Sequence, residues 1–176
     1  LKMIRDAEIA YEEVTGTYTN NISSLIQFID TAQLALTNTS TVVEKVNKGT
    51  KRQPIIIDVE KRVTDTIGYE PVLSRFTGRD YKNMAKVPGT DKEFTIDLGK
   101  VEKVAGLEVN VFFAKVSKID ILVGMDPSLV KQEINAITTD EIKGEFVSVG
   151  SLNEVTTGGN WPPFYDKNVS TKKDDK

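Results

Sequence analysis

The chain has 176 residues, of which 23 are basic and 26 acidic for a formal net charge of -3; 39% are hydrophobic and only 7% aromatic. It holds neither cysteine nor histidine, which removes disulfides, thiolate metal sites, cysteine nucleophiles, Ser-His-Asp catalysis and His-bound zinc. The near-balanced charge lacks the concentrated basic face of a nucleic-acid binder, and no apolar run approaches the roughly 20 residues that cross a bilayer as a helix.

Residues 1–15 predict an amphipathic helix. Leu1, Ile4, Ala7, Tyr11 and Val14 recur at steps of three and four and share one face, while Lys2, Arg5, Asp6, Glu8, Glu12 and Glu13 fill the others. Gly16 ends the helix, because glycine takes the left-handed C-cap conformation without steric cost. Nothing ahead of Leu1 caps the helix, so it is expected to continue upstream, as it would behind a membrane-anchoring segment. A second helix is expected over residues 19–32: Thr19, Asn20 and Asn21 offer capping oxygens, and Ile22, Leu25, Ile26 and Ile29 form an apolar stripe. The link is short, so the two helices should form a hairpin over residues 1–32, with Tyr11 and Leu25 buried between them.

The pattern Ala7-x-x-x-Tyr11, followed by Gly16-x-Tyr18-Thr19 and a second helix carrying Leu25, resembles the start of the soluble domain of a type IV pilin or a type II secretion pseudopilin. The segments 87–94, 149–152 and 159–161 resemble parts of uncharacterised Bacteroidetes envelope proteins that share such an opening. The resemblance implies an envelope protein on the periplasmic or surface side of a membrane. It would be anchored through a segment upstream of Leu1 and would act through protein partners or self-assembly.

Residues 34–49 are rich in Thr and Asn and contain Val42, Val43 and Val46; they read as an exposed strand or a loosely held helix. Lys48, Lys51 and Arg52 make a small basic cluster of a solvated loop. Ile55-Ile-Ile-Asp-Val59 is the densest β-branched run and predicts a strand that Val63 to Ile67 extend. Pro88-Gly89 reads as the centre of a turn. Alternation then marks Phe94, Ile96 and Leu98; Leu107, Val109, Val111 and Phe113; and Ile119, Ile121 and Val123. Three such stretches predict an antiparallel meander with one face covered by an amphipathic helix. Asp126-Pro127-Ser128 starts a helix with Leu129, Val130, Ile134 and Ile137 on its apolar face. Phe146, Val147 and Val149 form a last strand, and Ser151 to Glu154 resembles a capping box.

Residues that could carry chemistry are few. Glu12-Glu13, Asp140-Glu141 and Asp174-Asp175 are sequence neighbours, which point apart on a helix and make no acid/base pair. Asp91, Glu93 and Asp120 lie near turns and could hold calcium through oxygen, but no matching loop is present, so no metal or cofactor is expected. Gly158-Gly159 lacks the flanking strand and helix of a phosphate cradle. The sequons at Asn21, Asn38 and Asn168 are what chance supplies in an Asn- and Thr-rich chain. Trp161, Phe164 and Tyr165, around Pro162-Pro163, are the one aromatic concentration. Either they dock on a partner, or Trp161 folds back onto its own sheet as a plug, which is the favoured reading.

The sequence therefore predicts one α+β domain over residues 1–165: an N-terminal helix pair, then a mainly β region over 54–150 with one further helix. Residues 166–176 read as a disordered tail. The functional expectation is a non-enzymatic structural or assembly protein, pilin- or pseudopilin-like. The alternatives are a phage or other virion structural protein and a small ligand- or glycan-binding module.

Overall fold

A computed structural model of the chain describes residues 1–50, 53–104, 106–136 and 141–166. The fold is α+β. Two N-terminal helices, α1 (Lys2–Thr15) and α2 (Ile22–Thr31), precede a two-stranded hairpin of β1 (Gln33–Asn47) and β2 (Ile56–Pro71). A three-stranded sheet follows, built from β3 (Thr95–Val104), β4 (Leu107–Ser117) and β5 (Phe146–Gly150) in the order β3-β4-β5. Between β4 and β5 lie a one-turn helix, α3 (Lys118–Ile121), and α4 (Pro127–Ile134). All strand pairs are antiparallel.

The helices end as their sequence dictates. Gly16 takes φ 75° and its N–H donates to the Glu12 carbonyl at 2.8 Å. The Asn21 side chain caps α2 by accepting the Ser24 N–H at 3.2 Å. Ile4, Ala7 and Ala10 of α1 and Leu25 and Ile29 of α2 are fully buried, while Tyr11, expected buried, is only partly so and meets Phe28 edge-on at 5.0 Å. Val14, expected on the inward face, is exposed one turn beyond the last buried residue.

The helix pair covers one face of the three-stranded sheet. Cross-strand register places Ile96 beside Ala114 and Ala114 beside Val149, with Phe112 and Val116 on the same face. Ile96, Phe112, Ala114 and Val149 join the helical residues in one core, and Tyr18 lies against Phe112 at 4.8 Å. The opposite face carries the Lys115–Asp97 ion pair at 2.7 Å. It also carries Leu152, which lies so close over Gly99 that an added Cβ there would stand 3.1 Å from it.

Two expectations are corrected. Ile119, Ile121 and Val123 do not form the third strand. The Ser117 hydroxyl accepts the Ile119 N–H at 3.2 Å and turns the chain into α3, so the third strand is β5. The helix after Asp126 forms, with the Asp126 carboxylate accepting the Ser128 N–H at 2.7 Å, but none of its residues is buried and Leu129 is exposed. The cover on the sheet comes from α1 and α2 instead. Ile137 lies outside the described residues. The Ser151 hydroxyl accepts the Asn153 and Glu154 N–H groups as a cap would, yet no helix follows.

The ambiguous stretch 34–49 is strand as far as Asn47. It pairs with β2 from Gln33↔Pro71 to Asn47↔Ile56, with one irregularity between Leu36 and Thr37 where Ile67 is left over. Leu34 is the last buried residue of β1, and no described residue from 35 to 71 is buried. Fifteen residues of β1, at about 3.3 Å each, span roughly 50 Å. The hairpin is an arm.

Candidate functional site

Among the described residues, the arm lies in the longest stretch without a buried residue. Beyond the irregularity, opposite residues share a face. One face carries Thr37, Thr39, Thr41, Thr64 and Thr66, and the Thr39 and Thr64 hydroxyls meet across it at 3.3 Å. The other carries the pairs Ser40/Val63, Val42/Lys61, Glu44/Val59 and Val46/Ile57. Five apolar side chains, Val42, Val46, Ile57, Val59 and Val63, therefore form a continuous stripe along one side. Among the described residues, neither outer edge of the arm has a neighbouring strand. The tip is closed by Asn47, whose side-chain oxygen accepts the N–H groups of Gly49 and Ile55 at 2.8 and 3.0 Å.

The arm's charges have no partners at home. Among the described residues, Glu44, Lys45, Asp58, Glu60, Lys61, Arg62 and Asp65 make no ion pair and no side-chain hydrogen bond. The body differs. There Arg79 pairs with Asp6 at 2.8 Å, Arg75 with Glu13 at 3.0 Å and Arg5 with Asp166 at 3.0 Å.

The aromatic concentration is held by a clamp. Asn160 accepts the Ser148 N–H at 2.9 Å and donates to the Phe146 carbonyl at 2.7 Å, and Gly159 bridges Val149. This short extension of β5 sets Trp161 against the core, with its ring so close over Gly159 that an added Cβ there would stand 2.3 Å from it. Burial works against the Asp166 charge, yet Arg5 and the nearby indole outweigh it and hold that carboxyl below the usual range. The buried indole N–H nevertheless makes no hydrogen bond of normal geometry. Phe164 and Tyr165 stack on each other at 4.1 Å and stay largely exposed. The structure thus brings Trp161 into the body and leaves Phe164 and Tyr165 outside. Asp166, assigned to the tail by sequence, belongs to a 3₁₀ turn; the remainder of that tail lies outside the described residues. An open apolar cleft of about 370 Å³ is lined by Val87, Phe94, Val116, Val147, Trp161 and Tyr165.

Two buried charged residues went unnoticed in the sequence. Glu8, expected on a solvent face, is fully buried because the chain after Gly16 folds back over α1, and its Oε2 accepts the Thr19 N–H at 3.1 Å. Burial pushes its carboxyl up to about 7, against the opposing Thr19 bond. Lys118 is also buried, with Nζ donating to the Glu133 carbonyl at 2.8 Å, the Glu133 carboxylate at 3.1 Å and the Ile142 carbonyl. All three of its donors are used, so it ties α4 to the chain before β5 instead of offering a free amine.

Among the described residues no three acidic groups stand together as a metal site would need, and Asp120 pairs with Lys92 at 3.6 Å. No helix among the described residues is long and apolar enough to cross a membrane. Comparison with family models, with curated proteins and with solved structures returns no significant match.

Proposed function

We propose that this chain is a non-enzymatic structural protein of an envelope assembly, pilin- or pseudopilin-like, and that the arm over residues 37–66 is its contact element. The observation that carries the reading is the arm itself. An isolated two-stranded hairpin is marginally stable in water, and this one displays an apolar stripe, unpaired charges and two open edges. Such a surface gains by being covered, and exposed strand edges are ready templates for another chain. The body supplies a rigid base, since α1, α2 and the three-stranded sheet share one core.

The envelope placement is supported by the resemblance of the first helix and by α1 lying on the sheet with Ile4, Ala7 and Ala10 inward. Catalytic inertness is supported by the lack of His and Cys in the sequence. The virion reading uses the same arm in another particle. The ligand-binding reading has its own observation, the open apolar cleft lined by Trp161.

The test is to replace residues 38–65 by Asn-Gly, the pair that best closes a two-residue hairpin turn, in cells that make the protein. The shortened chain should fold but drop out of the high-mass fraction that holds the wild type. Equal partition of the two would contradict the reading.

A further inference from the structure

We infer that the occupant of the arm's apolar face is the arm of a second copy of this chain, packed face to face about a twofold axis. The inference rests on the assembly reading above and names its partner.

The first argument is charge. On the arm's two strands the unpaired charges are three basic and four acidic residues, Lys45, Lys61 and Arg62 against Glu44, Asp58, Glu60 and Asp65, while the sequence between the strands adds Lys48, Lys51 and Arg52. The strand surface, so balanced, does not select a strongly acidic or basic partner. It does complement itself. On the apolar face Glu44 sits on β1 and Lys61 on β2, in adjacent cross-strand rows.

The second argument is register. An axis set between the Val42/Lys61 and Glu44/Val59 rows, perpendicular to the strands, lays β2 antiparallel over the partner copy's β2. Ile57 of each copy then meets Val63 of the other. Glu44 of each copy falls in the same row as Lys61 of the other, one strand across, within reach of two long side chains. Both contacts occur twice, as isologous symmetry requires. The two bodies lie at opposite ends of the paired arms and do not collide. Aligned packing of two sheets about 10 Å apart is the ordinary way to give a lone sheet its second layer.

The third argument is area. The shared face runs over about nine residues, roughly 30 Å by 10 Å on each copy. That is below the ~800 Å² per partner of a stable dimer. The contact is therefore weak and reversible in solution, and becomes firm where many copies are held together.

The experiment is sedimentation velocity on the purified full chain from about 10 μM to about 1 mM, the range in which so small an interface fills. Wild type should shift from monomer towards dimer. Glu44→Lys and Lys61→Glu should each weaken association by about tenfold or more, because like charges then face each other. An equimolar mixture of the two variants should recover a heterodimer, since each supplies the charge the other lacks. Ile57→Asp, which would set a carboxylate against Val63 of the other copy, should abolish association. Trp161 fluorescence, which reports the body, should be the same in every variant.

A wild type that stays monomeric throughout overturns the inference, and so does a mixture that associates no better than either variant alone. The assembly reading fails separately. If the arm-shortened chain leaves the high-mass fraction while purified wild type remains a monomer, self-pairing falls and the assembly reading stands with a different partner.

Discussion

The Glu8 carboxylate accepts the Thr19 N–H at 3.1 Å through Oε2 and leaves Oε1 without a partner in a fully buried site. The bond ties the chain after Gly16 back onto α1, and burial raises the carboxyl from its ordinary 4.5 to about 7. The folded state therefore holds this proton more tightly than the unfolded state. Stability should be greatest below the unfolded value and should decline as pH rises to about 7, by at most about 3 kcal/mol. Urea unfolding at pH 5 and pH 8 measures this. Glu8→Gln should flatten the difference, and an unchanged slope in that variant would assign the effect elsewhere.

Leu25 is fully buried between α2 and α1, close to the Tyr11–Phe28 contact. Leu25→Ala should cost roughly 2–5 kcal/mol in equilibrium unfolding, the transfer and cavity cost of a truncated core leucine. A change below about 0.5 kcal/mol, typical of a surface site, would contradict the helix pairing.

Trp161 rests on Gly159, so the two positions are coupled. Trp161→Ala should lower stability, by less than the ~3–5 kcal/mol of a fully buried aromatic, because the ring is only partly buried. Gly159→Ala should displace the ring and shift its fluorescence to longer wavelength, because the new Cβ would overlap the indole. Native-like fluorescence in Gly159→Ala would count against this placement.

Lys118 donates to three oxygens from a buried position. Lys118→Met preserves the length of the stem but takes the donor away from the part-buried Glu133 and Ile142 carbonyls, at about 1–3 kcal/mol. Hydrogen exchange should show α4 opening more readily than β3 and β4. Equal protection would mean that α4 is held by something other than this lysine.

What the sequence shows of this protein follows from how local each determinant is. The stop of α1 at Gly16, the cap at Asn21, the Pro88-Gly89 turn and the alternation in β3 and β4 are written in adjacent residues, and the structure bears them out. Ile119, Ile121 and Val123 alternate as a strand would, but the Ser117 cap and the burial of Lys118 override that spacing. Glu8 reads as a surface residue until the loop after Gly16 returns over it. The arm's apolar stripe is hidden for a similar reason. Val42 and Val46 come from β1 while Ile57, Val59 and Val63 come from β2, and neither strand shows the stripe alone. Only the register, set across a loop and shifted at Ile67, joins them.

The central claim is that the arm is where this protein meets its neighbours. Site-specific photo-cross-linking tests it most directly, with a benzophenone amino acid placed at Val42 on the arm or at Lys82 on an exposed turn of the body. In cells that make the protein, irradiation should give discrete higher-mass adducts from position 42 and few from position 82. Mass spectrometry of the adducts would identify the neighbour. Adducts from position 42 no more abundant or discrete than those from position 82 would contradict the account.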